Sequence, residues 1–177
     1  MKLLIASDLH GDADATTKLF RRFEEEKADK LLLLGDLLYH GPRNDLPAHY
    51  APKKVIELLN AHKDILYCVR GNCDAEVDSM VLDFPIRADY ALFVIDGLSI
   101  FATHGHLFEP NNPPCQAGEC YLQGHTHIPV KKRENGILFL NPGSVALPKN
   151  NSPASYMIYE NREFVLKDMN GSIFQPS

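Results

Sequence analysis

The sequence predicts an α/β fold, a four-layer α/β/β/α sandwich of two mixed sheets flanked by helices. Two observations predict it. The N-terminal third alternates wholly apolar runs with segments of helical periodicity, and the chain beyond Tyr90 breaks into short strand-like runs punctuated by turn residues. Turn residues are spread evenly and no repeat or linker interrupts them, so residues 1–177 read as one domain.

Lys2 to Ala6 reads as a buried strand, and Asp12 to Lys27 as a helix whose apolar residues Ala15, Leu19, Phe20 and Phe23 share one face. Leu31 to Leu34 is a second apolar run. A loop from Tyr39 to Pro52 leads to a second helix, Lys53 to Ala61, with Val55, Ile56, Leu58 and Leu59 as its apolar residues. Asp64 to Val69 opens a third unit. Strands with no polar alternation are covered on both faces, which β-α-β order achieves by laying helices over a parallel sheet. Six further strands are expected at Leu92 to Ile95, Leu98 to Thr103, Cys120 to Gln123, Ile137 to Leu140, Ser155 to Tyr159 and Glu163 to Lys167. Asp96-Gly97 and Glu160-Asn161 carry hairpin-turn chemistry.

Composition narrows the function. A net charge of -5 argues against a stable nucleic-acid partner, because such binding is driven by Lys and Arg neutralising phosphates. No apolar run reaches the ~20 residues of a membrane helix, and the opening MKLLIA passes directly into SDLHG without a cleavage site, so a cytoplasmic protein without membrane contact is expected. The four cysteines form two C-x4-C pairs, Cys68 with Cys73 and Cys115 with Cys120. Free thiols are the expected state, and a structural zinc site is the rival reading. The rival is weakened because Cys68 falls within an apolar run and Cys73 in the next turn, so their side chains need not converge.

The polar residues of interest follow the apolar runs: Asp8 and His10 the first, Asp36 the second, Asn72 the third, His104 another, His125 and His127 the run ending at Gln123. Loops at the carboxyl ends of strands converge in open α/β sheets, which would bring these seven together. Two carboxylates, an amide oxygen and four imidazoles suit divalent ions such as Mn, Fe, Co, Ni or Zn. Singly, each residue is explained as a turn or a helix cap. As a set they are not, since every one follows a buried strand and most adjoin a glycine that permits close backbone approach.

The blocks SDLHG, GDLLYHG, GNCD, THGH and GHTH, in that order, resemble the five signature blocks of the calcineurin-like metallophosphoesterases. HGPRN after the second block and NPGS at Asn141 are similar to the small bacterial phosphodiesterases of that family. The resemblance implies that Asp8, His10, Asp36 and His127 hold one divalent ion, and Asp36, Asn72, His104 and His125 a second. Asp36 would bridge two cations roughly 3.5 to 4 Å apart. Mn is the first candidate, with Ni, Co, Fe or Zn the others. The implied reaction is in-line attack of a hydroxide held between the ions on a small phosphodiester.

The family usually has His where this chain has Cys73, and imidazole there orients substrate and protonates the leaving oxygen; a neutral thiol matches neither its charge nor its reach. Cys73 and Asn72 are the catalytic candidates beside the ions. An inert small residue in a turn is the competing reading of Cys73. His40 and Arg43 are candidates for substrate contact, Arg offering bidentate phosphate recognition, against a simple structured turn around Pro42 and Asn44. His106 is a weaker candidate. A phosphomonoesterase, or a non-catalytic metal-binding scaffold such as the retromer subunit that shares this fold, are the alternative functions. A homodimer is the expected assembly on base rates alone.

Overall fold

The computed structural model describes residues 1–108, 113–114 and 119–176. The strands are β1 (Leu3–Ala6), β2 (Lys30–Leu33), β3 (Leu66–Cys68), β4 (Tyr90–Ile95), β5 (Leu98–Thr103), β6 (Cys120–Leu122), β7 (Val130–Glu134), β8 (Ile137–Asn141), β9 (Ser155–Glu160) and β10 (Glu163–Asp168). The helices are α1 (Ala13–Glu26) and α2 (Pro52–Ala61). One sheet runs β10-β9-β1-β2-β3 and the other β4-β5-β6-β8-β7. Both are mixed: β1, β2 and β3 are parallel, as are β5, β6 and β8, and the remaining pairs are antiparallel.

Helix α1 starts where the Asp12 side chain accepts from Ala15 N–H at 2.8 Å, filling one of the donors a helix start leaves open. It stops at Lys27, in the left-handed region at φ 53°, whose N–H reaches back to Glu24 and Phe23 carbonyls. Proline at its first position fixes the entry to α2. Both helices bury their apolar residues, Leu19, Phe20, Val55 and Leu59 among them, on Leu4, Ala6, Leu31 and Leu33 of the first sheet. The alternate residues Leu3, Ile5, Leu32 and Met157 face the second sheet and meet Ile100, Ala102, Leu122 and Leu140. One strand thus serves two cores, which is why its sequence lacks polar alternation.

The architecture is the α/β sandwich of two mixed sheets. Among the described residues its helical cover is one-sided, since α1 and α2 both lie on the first sheet. The outer face of the second sheet is instead closed by its own aromatic rows: Phe101 stacks on Tyr90 at 5.2 Å and on Tyr121 at 5.9 Å, and Tyr121 meets Phe139 at 5.7 Å.

Two details depart from the sequence expectation. Strand β7, Val130–Glu134, was not anticipated, because four of its five residues are exposed and its Lys131, Lys132 and Arg133 carry the charge that protects a sheet edge from pairing with another chain. The turn between β9 and β10 is Asn161-Arg162 and not Glu160-Asn161: those two residues have the positive φ angles, 51° and 65°, that a tight hairpin turn demands. Asp96-Gly97, at 53° and 71°, turns where expected.

Candidate metal centre

The carboxyl ends of β1, β2, β3, β5 and β6 open onto one edge of the sandwich, where the loops carrying the seven expected ligands meet. Five of the seven are in the left-handed region: Asp8 at φ 60°, His10 at 47°, Asp36 at 58°, His125 at 65° and His127 at 61°. For a residue with a side chain this costs on the order of 1 kcal/mol each, and such strain clusters at functional sites. Hydrogen bonds between the loops hold it. Asp8 N–H donates to Gly35 O at 3.1 Å and His10 N–H to Asp36 O at 2.9 Å. The loops also touch so closely that a Cβ on Gly71 would overlap Asp36, and one on Gly124 would overlap Ser7.

The imidazoles are oriented from behind by backbone carbonyls. His10 Nδ1 donates to Tyr39 O at 2.8 Å, His127 Nδ1 to Leu147 O at 2.6 Å and His104 Nδ1 to Leu34 O at 2.6 Å. With Nδ1 carrying the proton, the Nε2 of each neutral ring presents a lone pair inward. His10 Nε2 and His127 Nε2 then face each other at 3.1 Å, with Asp8 Oδ1 lying 3.2 Å from the latter. Around His104 Nε2 lie Asn72 Oδ1 at 3.0 Å, His125 Nδ1 at 3.2 Å and Asp36 Oδ2 at 3.5 Å. Asp36 Oδ2 is also 3.7 Å from His10 Nε2, so one carboxylate lies between the two groups.

Acceptors aimed at acceptors in a buried site require positive charge between them. Asp8 Oδ1 is buried without a hydrogen bond, an oxygen left over for a cation. Burial raises the Asp8 carboxyl, yet His10 and His127 outweigh it and hold the group well below the usual carboxylate range. Burial lowers His104, but Asp36 and Asp8 push it up to about 9, and Asp8 similarly raises His10. The centre attracts cations, and its N/O donor set with carbonyl-bound imidazoles fits a divalent metal ion. Among the described residues, three close groupings have metal-ligating reach: Asp8, His10 and His127; Asp8, Asp36 and His104; and His10, Asp36 and Cys73.

The ligand cluster floors a cleft of about 310 Å³ lined by Asp36, Asn72, His125 and His127, with Cys73, Arg43 and Lys149 on its walls. Cys73 N–H donates to Asp36 Oδ1 at 2.8 Å, fixing that carboxylate, and burial followed by the Asp36 charge pushes its thiol up to about 12. Arg43 reaches the cleft. His40 is not among the residues that line it, and its ring lies edge-on to Tyr39 at 4.6 Å and to Tyr50 at 5.4 Å. His106 packs edge-on against His104 at 5.4 Å, and burial with His104 lowers its pKa.

Several residues that support the centre were not singled out from the sequence. Asp74 accepts from the backbone N–H groups of Asp36, Leu37 and Gly71 at 2.7 to 2.8 Å. Asn141 donates to Gly124 O at 2.7 Å and accepts from Gly143 N–H at 2.8 Å, while Ser144 Oγ donates to Asp8 O at 2.8 Å. Their signal was present, since Asp74 closes the GNCD block and Asn141 and Ser144 bound NPGS. Lys149 had no such signal. The described cysteines, in contrast, do not gather. Cys68 packs toward the helices, Cys73 lines the cleft and Cys120 lies between the sheets, while Cys115 is outside the described residues. Among the described residues no helix is long and apolar enough to cross a membrane.

Comparison with known proteins agrees with this geometry. Residues 1–163 match the family model described as the calcineurin-like phosphoesterase superfamily domain. The phosphodiesterase YfcE of Escherichia coli K12 is 49% identical over 164 residues, spanning 91% of this chain and 88% of that protein. The probable metallophosphoesterase YsnB of Bacillus subtilis is 29% identical, over 89% of this chain and 83% of its own length. A solved structure of YfcE, a phosphoesterase from E. coli, superposes with a TM-score of 0.96 at 44% identity, covering 100% of this chain and 98% of that one. With five sequence blocks at one edge of the sandwich and the family model spanning most of its length, the chain belongs to the calcineurin-like phosphoesterase superfamily.

Proposed function

We propose that this protein is a two-metal phosphodiesterase acting on small phosphodiesters. Asp8, His10, Asp36 and His127 would hold one divalent ion and Asp36, Asn72, His104 and His125 the other. The observation that carries the reading is the position of Asp36 Oδ2, within 3.7 Å of both His10 Nε2 and His104 Nε2 and so between two convergent acceptor sets. The resemblance to a protein named as a phosphodiesterase at 49% identity supports the choice of diesters. When bound, two divalent ions supply a water acidified for attack at neutral pH and offset charge on the phosphoryl oxygens.

The chain's own residues orient and restrain. Cys73 N–H and Asp74 fix the Asp36 carboxylate and its backbone. Asn72 Nδ2 donates to Cys73 Sγ at 3.3 Å, which aims the amide oxygen at His104. Burial and then the Asp36 charge push the Cys73 thiol up to about 12, which favours a weak donor beside the leaving group over a nucleophile. Arg43 and Lys149 add positive charge on the cleft wall for the substrate's oxyanions. A cavity of about 310 Å³ is at the small end of ligand sites, which suits a small ester.

The test is hydrolysis of bis-p-nitrophenyl phosphate and p-nitrophenyl phosphate by chelator-stripped protein, before and after Mn, with Asp36→Asn and His127→Ala as controls. Diester turnover restored by Mn and abolished in both variants supports the proposal. Preference for the monoester would make the protein a phosphomonoesterase. Two bound ions by elemental analysis with no turnover under Mn, Ni, Co, Fe or Zn would make it a scaffold.

A further inference from the structure

Lys149 lies in a segment that is built around the metal centre. Its N–H donates to His127 O at 3.3 Å, and its own carbonyl accepts from Ser152 N–H at 3.1 Å and Ser152 Oγ at 2.6 Å. The turn that follows uses Asn150 and Asn151 at φ 54° and 56°, residue types that tolerate the left-handed region. Upstream, Ser144 holds Asp8 O and Leu147 O holds His127 Nδ1. The segment therefore fixes where Lys149 leaves the backbone relative to the ligands, and Lys149 lines the cleft together with Arg43 from the loop after Asp36.

Neither Lys149 nor Arg43 forms an ion pair among the described residues, whereas Arg70 pairs with Asp89 and Arg87 with Glu76. Two unpaired like charges on one small cleft repel each other and gain nothing from the protein alone. An ordinary phosphodiester brings a single negative charge, which the two divalent ions of the proposed site would already offset. Two further cations at the walls match a substrate with more charge than that.

We infer that Lys149, with Arg43, forms a clamp for a second phosphate group carried by the substrate beyond the scissile diester, so that the preferred small diesters bear a terminal phosphate. The inference rests on the phosphodiesterase reading of the same site. It makes Lys149 a specificity-determining residue: its contact with the distal phosphate is made equally before and during reaction, so it acts on KM more than on kcat.

The probes are thymidine 5′-(p-nitrophenyl phosphate) and the same compound with a 3′-phosphate, which release the same leaving group. In the Mn-loaded wild type the 3′-phosphorylated compound should show a KM at least about tenfold lower, the effect of one charge-assisted contact. Lys149→Gln should collapse that ratio below about threefold, and Lys149→Arg should retain most of it. A second readout needs no turnover: calorimetric binding of thymidine 3′,5′-bisphosphate against thymidine 5′-monophosphate should show the same preference and the same loss in Lys149→Gln. Equal KM values for both compounds in wild type, or a preference that survives Lys149→Gln, would overturn the inference. Failure of the wild type to hydrolyse either compound, or bis-p-nitrophenyl phosphate, would overturn the phosphodiesterase reading instead.

Discussion

Asp74 Oδ2 accepts a hydrogen bond from Asp36 N–H at 2.8 Å and a second from Gly71 N–H at 2.7 Å, joining the loops after β2 and β3. Its other oxygen takes Leu37 N–H at 2.8 Å. Three donors on one buried carboxylate hold Asp36 in its left-handed conformation, so metal affinity should depend on a residue outside the proposed ligand set. Asp74→Ala should weaken metal binding by about tenfold to a hundredfold. Asp74→Asn should fall between, because the amide keeps one acceptor oxygen and turns an N–H group on the other donor. Competition with a chelating dye measures this. Wild-type affinity in Asp74→Ala would show that Asp36 is held by other means.

Gly71 gives a second route to the same carboxylate. Its φ is unremarkable for a side chain, but a Cβ there would overlap Asp36 N and Oδ1, both fixed by hydrogen bonds. Gly71→Ala should therefore displace Asp36, lowering stability by about 1–3 kcal/mol as overpacking does and reducing the bound metal per chain. Thermal unfolding and elemental analysis report the two effects separately. A variant with normal metal content would mean that the loops can part without disturbing Asp36.

The layers and the ligands were legible for one reason: both depend on local sequence. Leu3 to Ala6 and Leu31 to Leu33 are continuous apolar runs because each strand faces two cores, and Asp8, His10 and Asp36 stand directly after them. Strand β7 was not legible, since its stability comes from pairing with β8 and its exposed residues show no apolar pattern. Lys149 was missed for a related reason. It is 22 positions beyond His127 in sequence, and its segment is tied to the site by backbone hydrogen bonds such as that to His127, which no motif announces. His40 was singled out by its place in HGPRN, and its ring lies against Tyr39 and Tyr50, contacts that the motif does not announce.

Replacing Cys73 tests what the family's usual imidazole would contribute. Here burial and then the Asp36 charge push the thiol up to about 12, toward a weak donor. A Cβ at Gly41 would lie 3.0 Å from Cys73 Sγ, so a larger side chain at 73 also presses on the loop bearing Arg43. Cys73→His should raise turnover of diesters with poor, alkyl leaving groups by about tenfold or more, because a general acid helps most where the leaving oxygen is basic. Aryl diesters should change less, and metal content least. Equal rate changes across a series of leaving groups would show that the residue at 73 does not protonate the leaving oxygen.

Away from the cleft, Glu26 couples stability to pH. Its Oε1 accepts from Lys167 Nζ at 2.6 Å and Tyr156 Oη at 2.8 Å, and Lys2 Nζ lies 3.4 Å from Oε2. Burial raises the carboxyl, but these partners outweigh it, so the folded pKa lies below the ordinary value of 4.5. A depressed folded pKa means that the unfolded chain binds the proton more tightly. The stabilisation is then present above about pH 4.5 and is lost as pH falls through the folded value. Glu26→Gln should cost on the order of 1 kcal/mol at about pH 7 and less at about pH 3. Urea unfolding at the two pH values decides it, since a cost that persists in acid would come from packing or from the neutral Tyr156 hydrogen bond, and not from the carboxylate charge.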